Sequence, residues 1–125
     1  MKKNKLPRAE EELMGHLWQI NSGPLKILIQ QYPDPKPAKT TIATLIKRLV
    51  DKEMVSYITE GKTRIYSPLV KKKDYFSRHI GQLVTQFFNN SPAQFASFFT
   101  QQNDLTLEEL ESLKALIDNQ IEQKK

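Results

Sequence analysis

Leu13, Met14, Leu17 and Trp18 are spaced so that a helix would put them on one side, which predicts a helix from about Arg8 to Gln19. Pro7 fits its first turn, and Glu10, Glu11 and Glu12 place negative charge near the positive end of its dipole. Asn21-Ser22-Gly23-Pro24 ends it. The apolar stretch from Leu25 to Tyr32 reads as a very short strand at Leu25, then about two turns of helix with Ile27, Leu28 and Ile29 inward. Pro33, Pro35 and Pro37 cannot continue a helix and stiffen the connection. From about Ala38 to Lys52, Ile42, Leu45, Ile46 and Leu49 mark a buried helical face. Thr40, Ala43, Thr44, Lys47 and Asp51 mark the opposite face, with Thr41 and Arg48 flanking it. Met54 to Thr59 alternates apolar and polar residues, Glu60-Gly61-Lys62 makes a turn, and Arg64 to Ser67 returns as a second strand ended by Pro68.

The second half reads as helix throughout. Asp74 to Asn89 carries Tyr75, Phe76, Ile80, Leu83, Val84, Phe87 and Phe88, and Asn89-Asn90-Ser91-Pro92 breaks the pattern. A short helix from about Pro92 to Gln101 carries Phe95, Phe98 and Phe99. Thr106-Leu107-Glu108-Glu109 has the capping-box spacing and opens a last helix, to about Gln123, that presents Leu107, Leu110, Leu113, Leu116, Ile117 and Ile121. Helix, short strand, helix, helix, hairpin is the order of a winged helix, a helix-turn-helix with a β-ribbon attached. The expected fold is mainly α with a small β-wing: an N-terminal winged helix-turn-helix over residues 1–71, then a three-helix C-terminal dimerisation region over 72–125.

Charge adds a division of labour. Residues 1–70 hold twelve Lys/Arg and seven Asp/Glu, 12 − 7 = +5, whereas residues 71–125 hold seven of each, 7 − 7 = 0. A basic head on a neutral body suits a phosphate-binding element joined to a partner-binding one. All six phenylalanines lie at or beyond Phe76. That is more apolar area than three short helices bury alone, and pairing with a second copy is the simplest cover. Phe76, Ile80, Leu83, Phe87, Phe95, Phe99, Leu110, Leu113 and Ile117 are the candidate dimerisation residues, the competing reading being that these helices fold back on their own head. A chain ended after Asp74 is expected to be a folded, monomeric head.

Candidate chemistry is sparse. There is no cysteine, which removes disulfides, thiolate metal sites and cysteine nucleophiles and fits a cytoplasmic protein. No segment reads as a signal peptide or approaches the ~18 apolar residues of a membrane span, so no membrane insertion is expected. His16, read as a surface residue, and His79, read as satisfied or solvated, are far apart in sequence, and no His or carboxylate spacing suits a metal. The glycines are isolated rather than grouped in a phosphate loop. An enzyme is not expected, nor any metal or cofactor.

DNA reading has residues behind it. A recognition helix enters the major groove by its N-terminal turns, where small side chains allow close approach and backbone N–H groups reach phosphate. Ala38, Lys39, Thr40, Thr41 and Thr44 fit that position, the threonines offering a hydroxyl to bases or a methyl to thymine. Lys47 and Arg48 are placed for phosphate, and Lys62 and Arg64 at the hairpin tip for flanking backbone or minor groove. Lys2, Lys3, Lys5 and Arg8 would add phosphate contacts. The alternative is a winged helix that docks a protein without binding DNA; the cations at Lys39, Lys47, Arg48, Lys62 and Arg64 do not suit that role.

Several runs resemble the penicillinase/methicillin-resistance repressor family (BlaI/MecI). Leu6-Pro7-Arg8-Ala9-Glu10-Glu11-Glu12-Leu13-Met14 with Leu17-Trp18 resembles its opening helix, and Lys39-Thr40-Thr41-Ile42-Ala43-Thr44-Leu45-Ile46-Lys47-Arg48-Leu49 its recognition helix. Gly61-Lys62-Thr63-Arg64-Ile65-Tyr66-Ser67-Pro68-Leu69 is similar to its wing and exit, and Asp104-Leu105-Thr106-Leu107-Glu108-Glu109-Leu110 to its last dimerisation helix. The resemblance implies a homodimeric transcriptional repressor on a palindromic operator in double-stranded DNA. Its targets would be β-lactamase-type or other stress-response genes, and a membrane sensor-protease pathway often switches the family. This sequence departs from the pattern at three places. Pro33–Pro37 replaces the usual Trp-Ser-Pro lead-in, Ala43 stands where a longer polar residue is common, and no Asn precedes Phe98-Phe99, where the usual Asn-Phe cleavage site would fall. The copper-responsive branch binds metal through C-terminal cysteines, which are absent here.

Overall fold

The structure, a computed structural model, describes residues 5–125, so Lys2 and Lys3 lie outside the described residues. Helix α1 (Arg8–Ile20) buries Leu13, Met14 and Leu17 completely, as their spacing requires. Asn21 ends it in the left-handed region (φ 71°), its N–H on the Leu17 carbonyl. The chain next pairs with the hairpin through one residue: the Gly23 N–H donates to the Tyr66 carbonyl at 3.0 Å and the Tyr66 N–H to the Gly23 carbonyl at 2.9 Å. The strand-like residue is therefore Gly23, and Leu25, where the sequence suggested it, begins helix α2 (Leu25–Gln30). Pro24 explains the shift: it has no N–H for a ladder, and it caps the helix in an extended conformation. Only Leu28 of the three residues expected inward is fully buried, while Ile27 and Ile29 are half-buried, because successive helical residues point about 100° apart.

Helix α3 (Lys39–Asp51) buries Ile42, Ile46 and Leu49 against α1 and α2. Strands β1 (Val55–Glu60) and β2 (Thr63–Pro68) pair antiparallel from Val55 opposite Pro68 to Glu60 opposite Thr63, leaving Gly61 and Lys62 as the turn. Gly61 has φ +63° and Lys62 does not share the positive sign, the pattern of a type II′ hairpin, in which glycine belongs at the first central position. Val55 and Tyr66 anchor the base of this ribbon in the core while its outer half is exposed. Glu10, almost fully buried at the start of α1, forms an ion pair with Lys52 after the end of α3.

Helix α4 (Lys72–Phe87) begins earlier than its apolar pattern suggested, and its first turns belong to the head. Tyr75 is only 2% exposed. Its hydroxyl accepts the Leu6 N–H at 2.9 Å and donates to Glu11 Oε2 at 2.6 Å, tying the amino-terminal arm, α1 and α4 together. Trp18 lies against Tyr75 and Phe76, ring centroids 5.7 and 5.8 Å away, and its indole N–H donates to the Val70 carbonyl at 2.8 Å. Burial alone would raise the Glu11 pKa, but hydrogen bonds from Tyr75 and Lys5 and the Lys5 charge outweigh it and hold this carboxyl below its usual 4.5. A chain ended at Asp74 would lose Tyr75 and with it this junction.

The chain divides into two compact units, one ending at His79 and one running Ile80–Lys125. In the second, α5 (Pro92–Gln102) is capped by Ser91, whose Oγ accepts the Gln94 N–H at 3.1 Å, and α6 (Leu107–Gln123) by the expected Thr106–Glu109 capping box. Phe88 meets Phe95 and Phe98 at ring separations of 5.5 and 5.4 Å. No side chain beyond Tyr75 is fully buried, so the second unit has no closed core of its own.

Candidate nucleic-acid interface

Burial of Ile42, Ile46 and Leu49 turns the other side of α3 outward, and Lys39, Thr40, Thr41, Thr44, Lys47 and Arg48 are all exposed there. The N-terminus of this helix is open. Ala38 supplies no side-chain cap and the first turn holds no acid, whereas the first turns of α1 and α6 hold two each, Glu10 and Glu11 in one, Glu108 and Glu109 in the other. The free N–H groups and the positive dipole end thus lie beside the Lys39 ammonium, a setting that attracts anions.

The threonines are not equivalent. The Thr44 hydroxyl donates to the Thr40 carbonyl at 3.0 Å, one turn back. Its proton is thereby engaged, and towards a base edge Thr44 offers acceptor lone pairs and a methyl group. Lys47 is ion-paired with Asp51 at 3.2 Å, both highly exposed, so the pair is weak and the ammonium is available for exchange onto a stronger anion.

On the wing, Arg64 and Tyr57 share a sheet face, and the guanidinium sits 4.4 Å from the Tyr57 ring centroid. Tyr57 in turn contacts Tyr66 at 5.7 Å. This stack runs from the buried base of the ribbon to its exposed end and fixes the direction of the Arg64 fork. Lys62 is exposed at the turn. A cavity of about 650 Å³ lies between α2, the start of α3 and the wing, and it joins Lys39, Lys62 and Arg64 with Lys26 and Thr63. Three residues chosen from sequence thus line one concave surface, while Thr40, Thr41, Thr44, Lys47 and Arg48 lie along the exposed side of α3 and do not line it. Lys26 and Thr63 were missed. The signal for Lys26 was present: it is the only charged residue in the run from Pro24 to Tyr32.

The histidines stay outside this surface. His16 is half-buried rather than a surface residue, its ring 4.2 Å from that of Tyr32. Burial, with a smaller effect from the Glu12 charge, pushes the Tyr32 hydroxyl up to about 12. His79, expected to be satisfied or solvated, instead rests edge-on against Tyr75 at 4.4 Å, with both ring nitrogens buried and without a hydrogen-bond partner among the described residues.

The candidate dimerisation residues separate into three groups. Phe76 is half-buried against Trp18 in the head. Ile80, Leu83 and Phe87 are exposed on α4, Phe87 by 73%. Phe95, Phe99, Leu110, Leu113 and Ile117 line one apolar groove of about 360 Å³ between α5 and α6. Among the described residues, no helix is long and apolar enough to cross a membrane, and no cluster of His, Cys, Asp and Glu could hold a metal.

A family model described as Penicillinase repressor matches residues 6–119. The chain belongs to the penicillinase repressor family. The match covers both units, from the arm that meets Tyr75 to the last turns of α6. Penicillinase repressors from Bacillus licheniformis and Staphylococcus aureus are similar to it. The first is 24% identical over 97% of this chain and 98% of its own length, the second 23% identical over 94% of each. The solution structure of monomeric Bacillus licheniformis BlaI in complex with the blaP half-operator is also similar. It is 26% identical, covers 58% of this chain and 89% of that one, and has a TM-score of 0.49.

Proposed function

We propose that the chain is a DNA-binding transcriptional repressor that acts as a homodimer on a palindromic operator. The carrying observation is the exposed side of α3, with an uncapped N-terminus, beside a wing whose Lys62 and Arg64 line one concave surface with Lys39. Membership of the penicillinase repressor family supports the same reading. The N-terminal turns of α3 enter the major groove. Thr40, Thr41 and Thr44 meet base edges, Lys47 and Arg48 hold phosphates on one side, and Lys62 and Arg64 hold the flanking backbone or minor groove. The head does this reading, and the first turns of α4 are part of its packing.

The second copy covers the apolar side chains that Ile80–Lys125 leaves open, chiefly Ile80, Leu83 and Phe87 on α4 and the groove lined by Phe95, Phe99, Leu110, Leu113 and Ile117. Two heads then occupy two half-sites about one or two helical turns apart, and the bound dimer occludes a promoter of a β-lactamase-type or other stress-response gene. Loss of the dimer releases DNA, because one head forfeits the linked second contact. A membrane sensor-protease that worked this way would have to cut at a bond other than Asn-Phe, since Ser97 precedes Phe98.

Titrating a labelled duplex with the chain across a salt series tests the DNA reading. Several phosphate contacts require log K to fall linearly with log salt, by about 0.9 per phosphate neutralised. Binding indifferent to salt, or none at low salt, would leave a protein-docking winged helix as the better description.

A further inference from the structure

The cavity beside α3 has two kinds of lining. Lys26, Lys39, Lys62 and Arg64 contribute four cations from α2, α3 and the wing, and no carboxylate lines it. Pro24, Leu25, Ile29 and Tyr66 contribute apolar surface. A DNA phosphate has use for the cations but none for the apolar wall. The volume, about 650 Å³, lies in the range of small-molecule sites, which pair mostly apolar walls with a few convergent polar groups.

We propose that this cavity binds a small amphiphilic anion, an aromatic or branched aliphatic body bearing one carboxylate, and that its occupation releases DNA. The body lies against Leu25, Ile29 and Tyr66. The carboxylate accepts charge-assisted hydrogen bonds from the lysine ammonium groups and the Arg64 fork. The release rests on the DNA reading given above: Lys39, Lys62 and Arg64 cannot serve a ligand carboxylate and DNA phosphates together, so the two ligands compete.

The probe is naphthalene-2-carboxylate, added to the isotope-labelled full chain and followed by amide chemical shifts at constant ionic strength. Inorganic phosphate and 2-naphthylmethanol serve as controls, one lacking the body and the other the charge. The expected result is saturable shifts at Leu25, Lys26, Ile29, Lys39, Thr63 and Tyr66, with a dissociation constant on the order of 1 mM. Each control should bind about tenfold more weakly, and Lys26→Gln should weaken the carboxylate about fivefold without lowering the thermal midpoint. At about 10 mM probe, duplex affinity should fall about tenfold. No saturable shift at these residues, shifts confined to α5 and α6, or phosphate binding as tightly as the carboxylate would each overturn the site. A filled cavity with unchanged duplex affinity would overturn the release. If the chain bound no duplex even without probe, the repressor reading would fail instead, and the amide shifts would still decide the site.

Discussion

Tyr75→Phe removes one oxygen from the junction of the arm, α1 and α4 while keeping the ring that packs on Trp18, Phe76 and His79. Two hydrogen bonds go with it, from the Leu6 N–H at 2.9 Å and to Glu11 at 2.6 Å. A buried N–H left without an acceptor costs about 1–3 kcal/mol. The Glu11 contribution is smaller, roughly 0.5–1 kcal/mol, because Lys5 still pairs with it at 2.9 Å and the side chain is 24% exposed to water. The expected loss is therefore about 1.5–4 kcal/mol at pH 7. Trp18, the only tryptophan, sits at this junction, so its fluorescence in a urea titration reports on it directly. At fixed protein concentration the midpoint should fall by roughly 1–2 M. The gap should also depend on pH. Because the folded Glu11 pKa lies below its ordinary 4.5, its pairing stabilises fully above 4.5 and is lost as pH falls through the folded value. Parent and variant should thus converge in part as pH falls below 4.5. A variant within about 0.5 kcal/mol of the parent at pH 7, or a gap that does not narrow in acid, would refute the reasoning.

Arg48→Ala should weaken binding to every duplex alike and reduce the salt slope by about 1, measured by fluorescence anisotropy; an altered base preference would contradict a phosphate role. Thr44→Val keeps the methyl and removes the acceptor, so selection from random duplexes should show a changed preference worth about 1–3 kcal/mol at one base pair, where an unchanged consensus would exclude Thr44 from base contact. A chain ended after His79 should be a folded monomer by size-exclusion chromatography and urea titration, whereas one ended after Asp74 should lose cooperative unfolding; a dimer surviving the first truncation would place dimerisation in the head. Tyr32 and Tyr75 both titrate near 12 because burial favours their neutral forms, so stability present below pH 10 should decline as pH rises from 10 towards 12, and a flat profile would show that these hydroxyls are solvated.

Strong helical periodicity made α1 and α3 legible almost to their ends, and the turn of the hairpin, though not its type, followed from one glycine between two β-rich runs. The short segments were harder. Leu25 and Ile29 are apolar enough for strand or helix, and only the pairing of Gly23 with Tyr66, more than forty residues away, decides which residue is strand-like. The boundary of the head was hidden for a similar reason. Tyr75 and Phe76 continue the apolar pattern of α4 with no break in sequence, yet their partners are Leu6, Glu11 and Trp18. Among the proposed DNA contacts, charge and position singled out Lys39, Lys62 and Arg64, which line one surface. Lys26 escaped because the segment around it was read for its apolar residues alone. His16 looked like a surface residue because it lies off the Leu13/Leu17 stripe, and its cover comes from Tyr32, across a turn of the chain that periodicity does not see.

The central claim, that two heads held together read two half-sites, is tested most directly by footprinting on DNA selected by the chain from genomic fragments. The account predicts an inverted repeat protected in two stretches about one or two helical turns apart, with two chains bound per duplex. Protection of a single half-site by one chain, or no sequence enriched over bulk DNA, would contradict it.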